Sequence, residues 1–119
     1  MDCADEAYHR FETYKRDPNS YVYFRKDSCG WTALDGDRAV GIVVASKCRV
    51  GYLHVHPQHR GQEIGTTLLF LALADMRAKG CEAATVVPAQ LQATDRHPRP
   101  FYEKNGFVVS GLGMMMKKL

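Results

Sequence analysis

Between Gly51 and Lys79 the chain reads GYLHVHPQHRGQEIGTTLLFLALADMRAK, and three kinds of chemistry lie within reach of those residues. The first is anion binding. An apolar strand broken at Pro57 passes through a short loop into a long apolar helix. The first N–H groups of such a helix lack partners inside it and together carry about half a positive charge. Gly61 and Gly65 put no Cβ between main chain and ligand, and Arg60 offers a forked donor to a phosphate oxygen. Glycines in this place also serve strand-to-helix turns that bind nothing. The second chemistry is metal ligation, because His54 and His56 share a strand face and His59 follows them. No Asp or Glu stands at the usual spacing to complete that set, and Pro57 redirects the chain before His59. The third is proton transfer. His54, with an unperturbed pKa of about 6.5, suits a general base at neutral pH, and equally suits a hydrogen-bonded strand histidine with no chemical role.

One further side chain stands out near the C-terminus, in Phe101 to Phe107, FYEKNGF. Tyr102 falls on a short helix, where its ring either packs into the core or presents its hydroxyl as a donor. Gly106 ends that helix and Phe107 reads as core. Met114, Met115 and Met116 alternate faces of a strand and do not form a metal-binding cluster.

The elements that must hold these residues follow from periodicity. Asp2 to Arg16 repeats apolar residues at three and four, with acids early and bases late, as an amphipathic helix does. Pro18 stops it. Tyr21 to Arg25, Trp31 to Leu34, Arg38 to Ser46 and Val50 to His56 read as strands. They are divided by Asp27 to Gly30, by the hairpin turn Asp35-Gly36-Asp37, and by Lys47 with Cys48. Their closeness in sequence predicts an antiparallel meander. Ile64 to Ala78 is a helix, apolar around much of its circumference, expected deep against the sheet and ended by Gly80. Ala83 to Val87 is a buried strand that should pair in parallel with Val50 to His56 through a right-handed crossover. Pro88 to Thr94 is a loop, Pro98 or Arg99 to Asn105 a short helix, and Phe107 to Ser110 with Met114 to Lys118 a closing hairpin.

Composition narrows the class. A chain of 119 residues makes one domain spanning 1–119, and 45% hydrophobic with 24% charged residues is ordinary for a globular protein. The net charge of +3 comes from scattered bases without interleaved aromatics, so nucleic acid is not the expected partner. No apolar run approaches the roughly 20 residues that cross a bilayer, and no membrane partner is expected. Cys3, Cys29, Cys48 and Cys81 stand far apart without a Cys-x-x-Cys pair or a signal peptide. They read as free thiols in a reducing, cytoplasmic setting.

Taken together, Arg60 to Gly65, RGQEIG, and Phe101 to Phe107, FYEKNGF, resemble the GNAT superfamily of N-acetyltransferases over roughly Trp31 to Leu119. The resemblance implies an α/β, GNAT-like mixed sheet, in which the meander is followed by a parallel strand-helix-strand unit. It implies an acyl-CoA N-acyltransferase with acetyl-CoA as the acyl donor, no metal, and direct attack by an amine of a small molecule or protein. Two parallel strands would splay, and the main chain of Leu53, His54 and Val55 would hold the pantetheine arm. The pyrophosphate would lie against Arg60, Gly61, Gln62, Glu63, Ile64, Gly65 and Thr66. Tyr102 would stand beside the thioester sulfur as the acid, and the base is His54, Tyr52 through water, or absent.

Three departures qualify that implication. Glu63 occupies the place of the loop's middle glycine, and Asp95 that of the asparagine before the last helix. The segment before Trp31 is shorter than the family's usual strand and two helices, which wall the acceptor site. A symmetric homodimer would supply such a wall. The alternatives are a non-catalytic acyl-CoA-binding module and a metal-dependent enzyme using His54, His56 and His59.

Overall fold

The computed structural model describes residues 22–59, 63–87, 99–111 and 113–119. The helix expected over Asp2 to Arg16, the loop residues Arg60, Gly61 and Gln62, the loop Pro88 to Thr94, and Asp95 lie outside them. The described elements are β1 (Val22–Asp27), β2 (Gly30–Asp35), β3 (Arg38–Ser46), β4 (Arg49–Val55), a 3₁₀ turn (Pro57–His59), α1 (Ile64–Ala78), β5 (Ala83–Val86), α2 (Arg99–Lys104), β6 (Val108–Gly111) and β7 (Met114–Lys118). The strands form one mixed sheet in the order β1-β2-β3-β4-β5-β7-β6.

The first four strands are the expected antiparallel meander. Asp27 holds its first turn. The Oδ1 atom accepts the N–H groups of Cys29 and Gly30, both at 2.9 Å, and Oδ2 accepts the Thr32 hydroxyl at 3.0 Å. On β4 the register skips Gly51, since Ala45 pairs with Val50 and Val44 with Tyr52. An inserted residue of this kind is a β-bulge, and it resets the alternation of faces. Val50 and Leu53 therefore both enter the core beneath α1, whereas Tyr52 packs with Ala39 and Ile42 on the other face.

Helix α1 lies on the sheet through Ile64, Leu68, Leu69, Ala72, Leu73 and Met76, a stripe at three- and four-residue spacing. Each of the larger side chains contributes about 1.5–3 kcal/mol on burial. Gly41 lets the helix sit close, because a Cβ there would come within 3.0 Å of Leu68 Cδ1 and 3.1 Å of Ile64 Cγ2. The helix is not apolar-buried all round, as its composition suggested. Phe70 points away from the stripe and is 52% exposed, with the Lys117 ammonium 5.8 Å from its ring centre.

Both helices end the same way. In α1 the Gly80 N–H donates to Arg77 O and the Cys81 N–H to Met76 O. In α2 the Gly106 N–H donates to Glu103 O and the Phe107 N–H to Tyr102 O. These are paired Schellman bonds with glycine at φ 93° in each case. They fix the direction in which the chain leaves each helix.

One exit overturns the free-thiol reading. Cys81 emerges from α1 beside Cys48, in the β3–β4 turn, and the two are joined by a disulfide with their Cα atoms 5.8 Å apart. Cys29 is also disulfide-bonded. Sequence separation hid the pairing, because Cys48 and Cys81 meet only when β5 lies parallel to β4 and the Thr85 N–H donates to Cys48 O. The thiols thus no longer argue for a reducing compartment. The bond closes a 33-residue separation that contains β4, α1 and the loop between them, a constraint of about 3–4 kcal/mol in the chain-entropy account. Replacing Cys48 and Cys81 together by serine should lower unfolding stability by that order in a denaturant titration. An unchanged midpoint and slope would show that the link does not constrain the unfolded chain.

Candidate functional site

The β4–β5 ladder consists of Arg49 opposite Thr85 and Val50 opposite Val86. It stops where the Gly51 bulge begins. Strand β5 ends at Val86, while β4 continues through Leu53 and His54 to Val55. Among the described residues the ladder therefore parts after two rungs, and the disulfide lies beside the first of them.

Helix α2 comes to this region with Tyr102 on its buried side. The Tyr102 ring is 1% exposed and packs edge-on against Phe101 and Phe107, with centroids 5.2 and 5.4 Å away. That is the packing expected of a core tyrosine. Its hydroxyl is different, being fully buried with no hydrogen-bond partner among the described residues. An unsatisfied buried hydroxyl costs about 1–3 kcal/mol, so such groups are rare where no ligand calls for them. Burial pushes the phenol well above its ordinary value near 10, and it remains a protonated donor across the physiological range. Asn105, which sequence reasoning did not single out, steadies this helix. Its Nδ2 donates to Phe101 O at 2.8 Å, and its own carbonyl accepts the Lys117 ammonium at 2.8 Å. The available signal was Asn before Gly at a helix end.

At the other side of the parting, α1 begins. Glu63 is its N-cap residue in left-handed conformation, φ 62° and ψ 18°, and makes no side-chain capping bond. The first-turn N–H groups at Ile64, Gly65 and Thr66 are thus not capped by that carboxylate, and the helix dipole favours an anion there. Ile64 sends its side chain into the core, and Thr66 is half-buried. A Cβ on Gly65 would sit 3.5 Å from Val55 Cγ2 and 3.6 Å from the Phe101 ring. The space left by its missing side chain therefore lies between β4 and α2. Arg60, Gly61, Gln62 and Asp95 are outside the described residues.

The histidines do not converge. His54 lies on the face carrying Tyr52, their rings 6.1 Å apart, opposite the face that buries Tyr102. The His56 Nδ1 atom accepts the Gln58 N–H at 3.1 Å. His59 is buried, with Nε2 3.6 Å from Asp35 Oδ2. Among the described residues no three His, Cys, Asp or Glu side chains gather to hold a metal ion. Asp35, which its place in Asp35-Gly36-Asp37 marks as a turn residue, is instead 6% exposed at the end of β2.

Gly65 at the start of α1, Val55 on β4 and Phe101, the neighbour of Tyr102 on α2, thus approach one another at one place in the fold. Solved proteins of this fold are N-acetyltransferases. A GCN5-related N-acetyltransferase from Rhodopseudomonas palustris is 27% identical over 75% of this chain and 60% of its own, with a TM-score of 0.60. The PaiA N-acetyltransferase of Thermoplasma acidophilum, solved with coenzyme A, is 23% identical over 82% of this chain and 61% of its own, with a TM-score of 0.59. A GNAT-family acetyltransferase from Brucella melitensis, solved with acetyl-CoA, is 18% identical over 75% and 56%, with a TM-score of 0.53. The chain spans about 60% of the length of the first two of these. No curated protein matches it. The family model of the GNAT acetyltransferase domain matches residues 26–109, and the chain belongs to that family.

The conformation of Glu63 yields a test of this helix mouth. Left-handed geometry costs a residue with a Cβ about 1–2 kcal/mol, and glycine almost nothing. Glu63→Gly should therefore be more stable than Glu63→Ala by about 1 kcal/mol in chemical denaturation. Equal stability of the two variants would mean that the loop does not hold this conformation in solution.

Proposed function

We propose that this protein is an N-acetyltransferase that binds acetyl-CoA in the parting between β4 and β5 and passes its acetyl group directly to an amine. The observation that carries this reading is the buried hydroxyl of Tyr102, which has no hydrogen-bond partner among the described residues, in a sheet whose β4–β5 ladder has two rungs. The family match and the coenzyme A and acetyl-CoA complexes among its structural relatives support it.

On this reading the pyrophosphate rests against the loop Arg60 to Gly65 and the first turn of α1, with the pantetheine arm along β4 from Leu53 to Val55. A neutral amine attacks the thioester carbonyl carbon. Its ammonium form, with a pKa of about 10.4, must first lose a proton, which costs roughly 1.4 kcal/mol per pH unit below that value. His54, or Tyr52 through a water, takes that proton from the face opposite Tyr102. Collapse of the tetrahedral species breaks the carbon–sulfur bond, the departing thiolate is stabilised by the Tyr102 O–H, and the proton shed by the acylated nitrogen passes to that sulfur to give the free thiol. The two proton-handling groups thus work from opposite faces of the sheet. The acceptor is an amine whose class is set by residues around Tyr52 and His54.

Tyr102→Phe separates mechanism from packing. Phenylalanine keeps the ring contacts with Phe101 and Phe107 and removes a buried hydroxyl that has no partner among the described residues, so the melting temperature should hold or rise. Turnover should fall on the order of 10²-fold, as expected when a positioned acid is lost. A lower melting temperature with unchanged turnover would make Tyr102 a core residue only. Acetyl-CoA and a panel of amines, with thiol release as the readout, supply the assay.

A pH prediction follows from the same burial. The folded phenol is raised above the unfolded value near 10, so its contribution to stability is complete below about pH 10 and is lost as pH rises toward the folded value. Wild-type stability should decline above about pH 10 more steeply than that of Tyr102→Phe. Parallel declines in an alkaline denaturation series would remove Tyr102 as the source.

A further inference from the structure

A lysine on the core side of the last strand has no part in the reaction as described above. Met115 and Lys117 stand on one face of β7, opposite Val86 and Ala84 of β5, and Met115, Val86 and Ala84 are all buried in the core beneath α1. Lysine is out of keeping with those neighbours, since a charged group is rarely placed on such a face without a partner. Its ammonium has one. It donates to Asn105 O at 2.8 Å and lies 5.8 Å from the centre of the Phe70 ring on α1. The end of its stem lies over Gly106, where a Cβ would meet Lys117 Cε and Nζ at 3.3 Å. Lys117 thus joins β7 to α1 and to the end of α2.

Asn105 passes that tie on to the residues of the site. Its N–H donates to Tyr102 O at 3.1 Å and its Nδ2 to Phe101 O at 2.8 Å, while the Phe107 N–H donates to the same Tyr102 carbonyl at 3.0 Å. The rings packed edge-on against Tyr102 are those of Phe101 and Phe107, so the three rings and Asn105 belong to one stretch of chain, 101–107. Ring contacts within that stretch set the plane of the phenol, but not where the stretch sits over the sheet. The hydroxyl has no hydrogen-bond partner among the described residues to fix it directly. Its place is therefore inherited from the backbone of α2, and at the tip of the ring it moves further than the backbone when the helix tilts. Six residues are too few for a helix to hold itself. Core contacts hold it without direction, whereas the charge-assisted bond from Lys117 is directional, and a cation suits the carbonyl end of a helix.

We propose that Lys117, acting through Asn105, is a positioning residue for the Tyr102 hydroxyl: it holds the end of α2 to β7 and so sets where the phenol donor stands. The inference rests on the reading of Tyr102 as the acid that stabilises the departing thiolate. It requires no contact between Lys117 and acetyl-CoA or the amine. It gives the last strand of the sheet a part in the thiol-release step.

The test is a double-mutant cycle read in kcat. Lys117→Met keeps most of the stem and removes the ammonium. It should lower kcat about tenfold, the scale of a slightly displaced group, and leave KM for acetyl-CoA unchanged. In the Tyr102→Phe background the same change should cost nothing further, because the group it positions is already gone. Lys117→Arg, which keeps a cationic donor, should retain most of the wild-type kcat. Equal losses of kcat in the two backgrounds, a loss in Lys117→Arg as deep as in Lys117→Met, or an unchanged kcat in Lys117→Met would each make the lysine structural only, and the proposal falls. Should thermal unfolding show that Lys117→Met does not fold, Lys117→Gln in both backgrounds decides by the same rule. A wild type without turnover, or one whose turnover Tyr102→Phe leaves unchanged, brings down the reading of Tyr102 and the proposal with it.

Discussion

Everything at the site depends on the parting of β4 from β5. Here the parallel ladder has two rungs and stops at the point where Gly51 is inserted into β4 against β3. The insertion bends the strand, a local backbone event, in the middle of a sheet of seven strands. It also reassigns faces. Val50, Leu53 and Val55 pack with the core beneath α1, and Tyr52 turns to the other side. The chemistry proposed here, a base and an acid approaching from opposite faces, is available only because the strand between them is bulged and its neighbour stops.

A sheet parted in this way must be held by what surrounds it. The disulfide between Cys48 and Cys81 lies beside the first rung of the ladder, and α1 and α2 pack against the strands. Gly65 marks the place where α1, Val55 and Phe101 approach one another. The Schellman endings of both helices matter more than their small energies suggest. One aims Cys81 at Cys48, and the other folds Phe107 back against the Tyr102 ring. Helix α2 has only six residues and could not persist alone, and its position is held by core packing and by the Asn105 and Lys117 bonds.

The polar groups here have different sources of support. Asp27 and Asn105 satisfy local backbone and act as structure. The Tyr102 hydroxyl and the Glu63 backbone are held against their own preference, one buried without a partner among the described residues and the other in left-handed geometry. Left-handed geometry is not confined to the helix mouth, since Lys47 and Cys48 share it in the β3–β4 turn. Tyr102 and Glu63 lie beside the proposed path of acetyl-CoA, one at the sulfur end and one at the phosphate end.

The amino-acid sequence by itself determined the elements, the meander, the parallel unit and the family, because strand and helix periods, turn residues and a short loop motif are properties of neighbours in the chain. It marked Ile64 to Ala78 to the residue and singled out Tyr102 for its neighbours Gly106 and Phe107. The family motif made Tyr102 the candidate acid, whereas the burial of its hydroxyl without a partner among the described residues is a property of the folded surroundings. The disulfide, the burial of Asp35 against His59 and the exposure of Phe70 were decided by tertiary structure alone. The first two depend on residues far apart in sequence meeting through strand register, and the third on which side of α1 the sheet covers.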